Sequence, residues 1–291
     1  MKTIILNIYI YILSHEISKE NRLKIEDICN RFNNVECCFI DVGKKEVLYS
    51  KKSSLDFSTF GRLFIGSLIK EDISKILYID CDTLVLGSLK ELWSLNIEGH
   101  VVAGVQDIRY SSIIDHGLEN KAIYLNSGVL LINFKKWAKL EKNFISFIEG
   151  VDDLDAILHD QGVINAVVDD DKKLLIKPYW NLMYSFYRPR QLKKLLNFYK
   201  APYLDFYSDV IDDAIGNPVV VHDKFWDKGY NNEIFVERYE EYVSMSPFEH
   251  DEIFTGDTRI KQTFNARIFF MLPNFMYPML RKLFLLYKLC F

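Results

Sequence analysis

Short apolar runs alternate with stretches of helical periodicity along the first part of the chain. Branched and aromatic residues predict buried strands at Ile4–Leu13, Val35–Val42 and Ile76–Ile79. Between the first two runs, Ile17–Phe32 has apolar residues on one helical face and Ser18 in position to cap the helix. A strand, a helix and a second strand in this order begin a right-handed parallel unit. The pattern therefore predicts an α/β domain.

A second helix is predicted at Asp56–Lys70, with Ser58 or Thr59 as its cap and Arg62 on its surface. Tyr124–Phe134 fits either a strand pair or one strand with a Ser-Gly turn in it. The remaining predicted elements are strands at Val101–Val105, Lys173–Lys177 and Val219–His222 and an amphipathic helix containing Trp137 and Phe144–Ile148.

Two further segments carry candidate chemistry. A short helix is predicted from His159 to Val168, and its N-terminus should favour an anion and expose Asp160 and Gln161. After the strand that ends at Pro178, the aromatic loop Tyr179–Tyr187 suits stacking on a sugar ring.

The apolar run Ile76–Ile79 stops at Asp80, Cys81 and Asp82. We expect this strand in the middle of a parallel sheet, whose carboxyl edge is where open α/β sheets bind ligands. Two carboxylates that lie close together and partly desolvated repel each other unless a cation neutralises them. The pair therefore predicts a Mn²⁺ or Mg²⁺ site that leaves positions open for substrate phosphates. A solvated turn carrying two acids is the alternative.

The run Val219–Val221 ends in the same way, on His222, which can ligate a metal. Lys224 and Lys228 follow within six positions and could meet a diphosphate. A hydrogen-bonded core or loop histidine is the alternative interpretation.

Composition narrows the class of protein. A chain of 291 residues that is 49% hydrophobic fits one large α/β domain with an appendage, and its net charge of −4 argues against a nucleic-acid partner. The acid clusters Asp152–Asp155 and Asp169–Asp171 are predicted to be solvated loops. The spacing of the five cysteines does not match a metal site, so they are predicted to be small buried hydrophobes in a reducing compartment. No signal peptide is expected at the start of the chain.

The C-terminal part is predicted to be a separate tail. We place the main domain at residues 1–245 and a basic, aromatic helical tail at 246–291. Within it, Phe264–Phe291 contains four basic residues and no acid, and its longest uncharged run, Ile268–Leu280, is too short to span a bilayer. Such a segment suits the surface of an anionic membrane. We therefore expect a cytoplasmic protein that is peripheral to the inner face of the cell membrane, although packing on the domain or dimer formation is the alternative.

Five ordered segments resemble glycosyltransferase family 8, the retaining enzymes with the GT-A fold that include lipopolysaccharide galactosyl- and glucosyltransferases. These segments are FGRLFIG, KILYIDCDTLVLGSLKELW, YLNSGVLLINFKKW, HDQGVINAVV and VVHDKFWDKGY. The resemblance implies a Rossmann-like, mixed sheet flanked by helices. It also implies metal-dependent transfer of galactose or glucose from a UDP-sugar to a cell-surface glycan or glycolipid.

Roles for individual residues follow from the same resemblance. It implies that Asp80, Asp82 and His222 hold manganese and that Lys228 contacts the donor's diphosphate. It further implies that Arg62, Asp107 and Asn126 surround the donor sugar, and that Asp160 and Gln161 face the reacting carbon.

The resemblance has two departures. After His222 the family's Gly-Pro turn is missing, although the lysine at Lys228 is kept. Family members also begin with a strand, a uracil-binding loop and a helix before the strand matched by Asn7–Leu13, and we expect that unit to be lacking. A non-catalytic or degenerate sugar-nucleotide-binding scaffold is therefore the main alternative function. A haloacid-dehalogenase-type phosphatase fits less well, because Leu84 stands where its motif needs Thr or Val.

Overall fold

The computed structural model describes residues 7–43, 57–107, 118, 122–154, 157–183, 186, 194, 205–223, 235–248, 273 and 276. Its strands, in chain order, are β1 (Ile8–Ser14), β2 (Val35–Asp41), β3 (Lys75–Ile79), β4 (Thr83–Val85), β5 (Val102–Gln106), β6 (Leu125–Asn133), β7 (Lys173–Leu175), β8 (Leu182–Met183) and β9 (Val220–His222). Its α-helices are α1 (Lys19–Asn30), α2 (Ile65–Leu68), α3 (Lys90–Ser94), α4 (Phe134–Gly150), α5 (His159–Val167), α6 (Asp205–Gly216) and α7 (Val236–Met245).

The first three elements form the predicted parallel unit. Strands β1 and β2 pair in parallel and make a two-stranded sheet, with α1 as the crossover between them. Ser18 caps α1, because its side-chain oxygen accepts a hydrogen bond from the backbone N–H of Asn21 at 3.1 Å. The predicted order and the predicted cap are both confirmed.

The segment Asp56–Lys70, which was predicted to be one regular helix, differs from that prediction. Phe57–Phe64 is a 3-10 helix, and only Ile65–Leu68 continues as α-helix. Six of the eight residues of the 3-10 helix are buried, so packing against the core sets its backbone. Gly61 allows a close approach, because a Cβ there would lie 3.0 Å from Val42 Cγ1.

A four-stranded sheet carries the strand of the predicted metal motif. Its order is β3-β6-β5-β7, with β6 antiparallel to β3 and β5, and β5 parallel to β7. The expectation that β3 lies buried in the middle of a parallel sheet is wrong. Among the described strands it is an edge strand, antiparallel to its neighbour, and each of its residues is only half-buried.

Strand β6 settles the two interpretations of the Ser-Gly segment. It runs unbroken from Leu125 to Asn133, buried on both faces except at its last residue, and contains no turn. The irregularity lies in its pairing with β5, where the register shifts between Gly104 and Gln106. Helix α4 then contributes Trp137, Phe144 and Ile148 to the core, as its apolar spacing predicts.

A small third sheet has the order β4-β9-β8, in which β4 is antiparallel and β8 parallel to β9. This sheet overturns part of the aromatic-loop prediction. Trp180 and Phe186 are buried in a hydrophobic cluster that includes Leu182 and Val221, so they fill the core instead of facing a sugar. The pairing of Thr83 with His222 matters most for function, because it brings the two ends of the predicted metal motif together.

Two smaller predictions also need correction. Cys38 and Cys81 are exposed, whereas Cys29 is the buried thiol the prediction expected. Asp170 is half-buried, and its carboxylate accepts hydrogen bonds from the backbone of Ala122 and from Lys173 Nζ, at 2.5 and 3.0 Å. Burial alone would raise the pKa of Asp170, but Lys173 and the backbone donors hold it below its usual value. It anchors the chain before β6 instead of standing in solvent.

The predicted tail at Phe264–Phe291 lies outside the described residues, apart from Pro273 and Met276. Within the part of the chain that the structure describes, no helix is both long and apolar enough to cross a bilayer.

Candidate active site

Asp80, Asp82 and His222 converge where β3 ends and β4 pairs with β9. His222 Nε2 lies 3.2 Å from Asp82 Oδ1 and 3.9 Å from Asp80 Oδ2. The backbone fixes this arrangement, because Asp80 N–H donates to Gly128 O at 2.8 Å and Asp223 N–H donates to Asp82 O at 3.0 Å. One ligand atom from each of the three side chains lies within 4.8 Å of the other two.

Two neighbours shape the position of the His222 ring. Gly128 leaves room for it, since a Cβ at this position would lie 2.1 Å from His222 Cε1. On the other side, Asn181 Oδ1 lies 3.1 Å from His222 Nδ1. Asn126 Oδ1 already accepts from Gly128 N–H, so Asn181 must donate to it through Nδ2 and present its own oxygen to the ring. His222 Nδ1 therefore donates to Asn181, and Nε2 faces the carboxylates.

This donor set fits a hard divalent cation. Two carboxylates and one imidazole nitrogen are ligands that Mn²⁺ accepts, and a carboxylate-rich set also suits Mg²⁺. The other oxygen of Asp80, Oδ1, accepts from the Tyr78 hydroxyl at 2.7 Å, which leaves Oδ2 on the side of His222. Burial alone would raise the pKa of Asp82, but the hydrogen bond and charge of His222 hold it below its usual value.

Arg62, which was expected on the surface of its helix, is instead buried, with 4% of its surface exposed, and lies between two acids of the site. Its NH2 group lies 2.9 Å from Asp80 Oδ1, and its Nε lies 3.1 Å from Asp160 Oδ2. The third nitrogen donates to Ser127 O at 2.7 Å, and the guanidinium lies over the ring of Tyr78. Burial would lower the pKa of Arg62, but the surrounding groups, led by Asp160, raise it, so the residue stays charged.

Asp160 is the carboxyl of the site whose pKa departs most from its ordinary value. Burial raises its pKa to about 6; Arg62 opposes this shift and the charge of Asp80 adds to it. Its Oδ2 atom is paired with Arg62 Nε by charge at 3.1 Å, without the alignment of a hydrogen bond. The sequence-based expectation that the start of α5 exposes Asp160 and Gln161 is wrong, because their exposed fractions are 4% and 5%.

The start of α5 is held in an unusual backbone conformation. Leu158 and His159 have φ values of 62° and 58°, in the left-handed region that non-glycine residues rarely adopt. Gly162 allows the tight approach that follows, since a Cβ there would lie 2.0 Å from Ile157 O. Strain of this kind persists where surrounding structure fixes it, and here it turns Asp160 and Gln161 into the site.

Gln161, Asp107 and Asn126 form a hydrogen-bonded network beside the acids. Gln161 Nε2 and Asn126 Nδ2 both donate to Asp107 Oδ2, at 3.1 and 3.0 Å. Gln161 Oε1 accepts from the backbone N–H of Ser127 at 3.0 Å. Through Asn126 and Asn181 this network reaches His222, so the structure joins every predicted site residue that it describes. Lys228 lies outside the described residues.

Sequence reasoning missed several residues that position the site. Asn181 orients His222, and Tyr78 holds Asp80. Asn165, fully buried, accepts from Leu125 N–H at 2.7 Å and donates to the carbonyls of Leu125 and Gln161. Isolated asparagines inside apolar segments were the available signal, because buried polar groups need partners.

The chain is similar to known proteins over the residues that form the site. The model of Glycosyl transferase family 8 matches residues 2–222. General stress protein A of Bacillus subtilis (strain 168) is 32% identical over 178 residues, which are 59% of this chain and 62% of that protein. The lipopolysaccharide 1,2-glucosyltransferase of Escherichia coli (strain K12) is 30% identical over 132 residues, 43% of this chain and 38% of that protein. The chain thus spans less than two thirds of either relative.

The fold also has a solved counterpart. The galactosyltransferase LgtC, crystallised with donor and acceptor sugar analogues, superposes with a TM-score of 0.62 over 83% of this chain and 86% of that chain. At 23% identity this likeness establishes the fold, which is GT-A: mixed sheets flanked by helices.

Proposed function

The chain belongs to glycosyltransferase family 8, and from this membership we propose that it is a metal-dependent, retaining hexosyltransferase. It would move galactose or glucose from a UDP-sugar to a cell-surface glycan or lipopolysaccharide-type acceptor. One observation carries the proposal: Asp80, Asp82 and His222 offer ligand atoms within 4.8 Å of one another. LgtC, which shares the fold, was crystallised with donor and acceptor sugar analogues.

The residues of the site would have different roles in this reaction. Asp80, Asp82 and His222 would hold Mn²⁺, with Mg²⁺ as an alternative, and the bound cation supplies charge that stabilises a leaving diphosphate. Gln161 presents its amide against Asp107 in a fixed orientation, because both ends of that amide are already hydrogen-bonded. Arg62 keeps Asp80 and Asp160 together without leaving either charge unpaired. We assign Asp107 and Asn126 to the donor sugar and Lys228 to its diphosphate.

A panel of UDP-sugars with Mn²⁺, read by UDP release with and without candidate glycan acceptors, tests this function. UDP-galactose or UDP-glucose should give Mn²⁺-dependent release that EDTA abolishes, and the product should keep the donor's anomeric configuration. Asp82→Asn should abolish release, whereas Asp72→Asn, at an acid whose side chain is 87% exposed, should not. If Mn²⁺ binds and none of the donors is turned over, the scaffold function is correct instead.

Membrane association is a separate part of the proposal, carried by the basic, aromatic composition of Phe264–Phe291. The full chain should sediment with anionic liposomes at low salt, and a chain shortened after Gln262 should not. Equal sedimentation of both chains would contradict it.

A further inference from the structure

Lys173, the first residue of β7, is a buried lysine that has no role in the function proposed above. The residue is 4% exposed and its side chain 0%, which is a rare environment for an ammonium group. Its Nζ atom donates to Ile123 O at 2.8 Å and to Asn165 O at 3.1 Å, and it pairs with Asp170 Oδ1 at 3.0 Å. One buried cation therefore ties three segments of the chain together.

Two of these segments lead directly into the active site. Ile123 lies two residues before β6, and the other carboxylate oxygen of Asp170 accepts from the N–H groups of Ala122 and Ile123, so the chain is fixed as it enters the strand. Asn165 lies in the last turn of α5, where a cation beside the carbonyl groups also complements the helix dipole. Lys173 thus fixes α5 to β6 at the end of the helix that lies away from Gln161.

Helix α5 depends on such contacts because little in its own sequence holds it. It has nine residues, and helices of that length are marginal in water without tertiary packing. Its N-cap residue, Leu158, has no side-chain oxygen with which to cap the first turn, and the backbone there is in the left-handed region. The rest of the protein must therefore set the position of the helix.

A series of hydrogen bonds leads from Lys173 to the Gln161 amide. Asn165, whose carbonyl accepts from Lys173, donates through Nδ2 to Gln161 O at 2.8 Å. Gln161 lies one turn earlier on the same face of the helix, about 6 Å along its axis. Its amide in turn joins Ser127 N–H and Asp107 Oδ2. A shift of α5 along β6 would therefore move Gln161 relative to Asp107, whereas the metal ligands lie around β3, β4 and β9.

We propose that Lys173 is a positioning residue for the transfer reaction, which acts through Asn165 to hold the Gln161 amide in place. The inference rests on the proposed function, because it concerns the residue whose amide is presented in that site. An ion pair removed from water often adds no net stability over apolar residues of the same size, so the contribution of Lys173 and Asp170 is a fixed geometry.

The test is Lys173→Met, which removes the charge and keeps an unbranched side chain. Lys172→Met is the matched control, because this neighbouring lysine is 48% exposed and pairs with the exposed Asp171. Steady-state UDP release with Mn²⁺ should show kcat at least about tenfold lower in Lys173→Met and a donor KM within about threefold of the wild type, since a displaced group costs rate more than binding. The control should keep the wild-type kcat.

A merely structural lysine would give a different result. It would lower the melting temperature seen by circular dichroism without changing kcat at a temperature where the variant is folded. Wild-type kcat in folded Lys173→Met therefore overturns the inference. A calorimetric loss of Mn²⁺ affinity as large as the loss in kcat also overturns it, because the substitution then acts on the metal centre.

Hydrogen exchange, read by mass spectrometry, separates the inference from the proposed function. The backbone N–H groups of Leu125 and Ser127 donate to side-chain oxygens of α5. Both should exchange at least about tenfold faster in Lys173→Met than in the wild type and the control, because the helix is no longer anchored. If the wild type releases no UDP from any donor, the proposed function fails, and unchanged exchange at both groups would overturn the inference as well.

Asp170→Asn provides a second variant, which keeps the lysine and removes the charge of its partner. It should change kcat and hydrogen exchange in the same direction as Lys173→Met but by a smaller factor. It decides the question if Lys173→Met does not fold, and wild-type values of both measurements in Asp170→Asn would then overturn the inference.

Discussion

The acidic centre and the β1–α1–β2 unit differ sharply in how they are held. In the centre, charged and amide side chains are buried and joined by direct contacts from Arg62 to Asp160 and from Asp107 to Gln161. In the β1–β2 sheet, by contrast, Ile8 and Tyr9 are 50% and 57% exposed. A buried polar network is costly to break, whereas a half-solvated strand tolerates change. The rigidity of the acidic centre therefore comes from its polar contacts, which substitutions of single residues can remove.

The largest effect should come from Arg62→Ala, which leaves Asp80 and Asp160 without their shared cation. Removing one partner of a buried ion pair costs about 3–5 kcal/mol, and urea unfolding measures it. Arg238→Ala is the control, because its ion pair with Glu241 is exposed and its removal should leave the stability nearly unchanged. Similar losses in the two variants would contradict the account.

Asp160 should make stability depend on pH in the metal-free protein. Its pKa is about 6 in the folded chain and 3.8 ordinarily, so the folded state binds the proton more tightly. The stabilisation is complete below about pH 4 and is lost as the pH rises through about 6. Between those limits, the unfolding free energy of the wild type should fall by about 3 kcal/mol relative to Asp160→Asn. Urea titrations of both chains across this range measure the difference, and a constant difference would contradict the prediction.

Gly128→Ala should disturb the metal ligands selectively. The new Cβ would overlap the His222 ring, so we expect a loss of about 1–3 kcal/mol in stability and at least about tenfold in Mn²⁺ affinity. Gly150→Ala is the matched control, since no atom of another described segment lies within 4 Å of the added carbon, and its stability should change by about 1 kcal/mol or less. Unchanged Mn²⁺ affinity in Gly128→Ala would show that the ring position does not matter.

The smallest effect should be that of Tyr9→Thr on the open face of β1. The side chain is 57% exposed and threonine suits a strand, so stability should change by about 0.5 kcal/mol or less in thermal or urea unfolding. A loss above about 2 kcal/mol would mean that this face is covered, and the contrast between the regions would disappear.

The sequence predicted the order of β1, α1 and β2 and the cap at Ser18, because apolar runs that stop at polar residues are local signals. The family resemblance supplied the grouping of Asp80 and Asp82 with His222. The sequence pattern did not predict that β3 lies at the edge of its sheet among the described strands, since pairing partners are set by distant segments. It also placed Asp160 and Gln161 in solvent, because helical position alone does not reveal what packs on a helix start. The role of Asn181 depends on the pairing of β8 with β9, which no local pattern in the sequence reveals.

The central claim is that the acidic centre binds a divalent cation for a nucleotide donor. Calorimetric titration of Mn²⁺ in the presence of UDP tests it most directly on the wild type, Asp82→Asn and Asp72→Asn. The account predicts that Asp82→Asn weakens Mn²⁺ binding at least about 100-fold, because a ligand and a negative charge are lost together. It predicts wild-type affinity for Asp72→Asn, whose side chain stands 87% exposed beside Lys135. Equal Mn²⁺ affinity in all three proteins would contradict it.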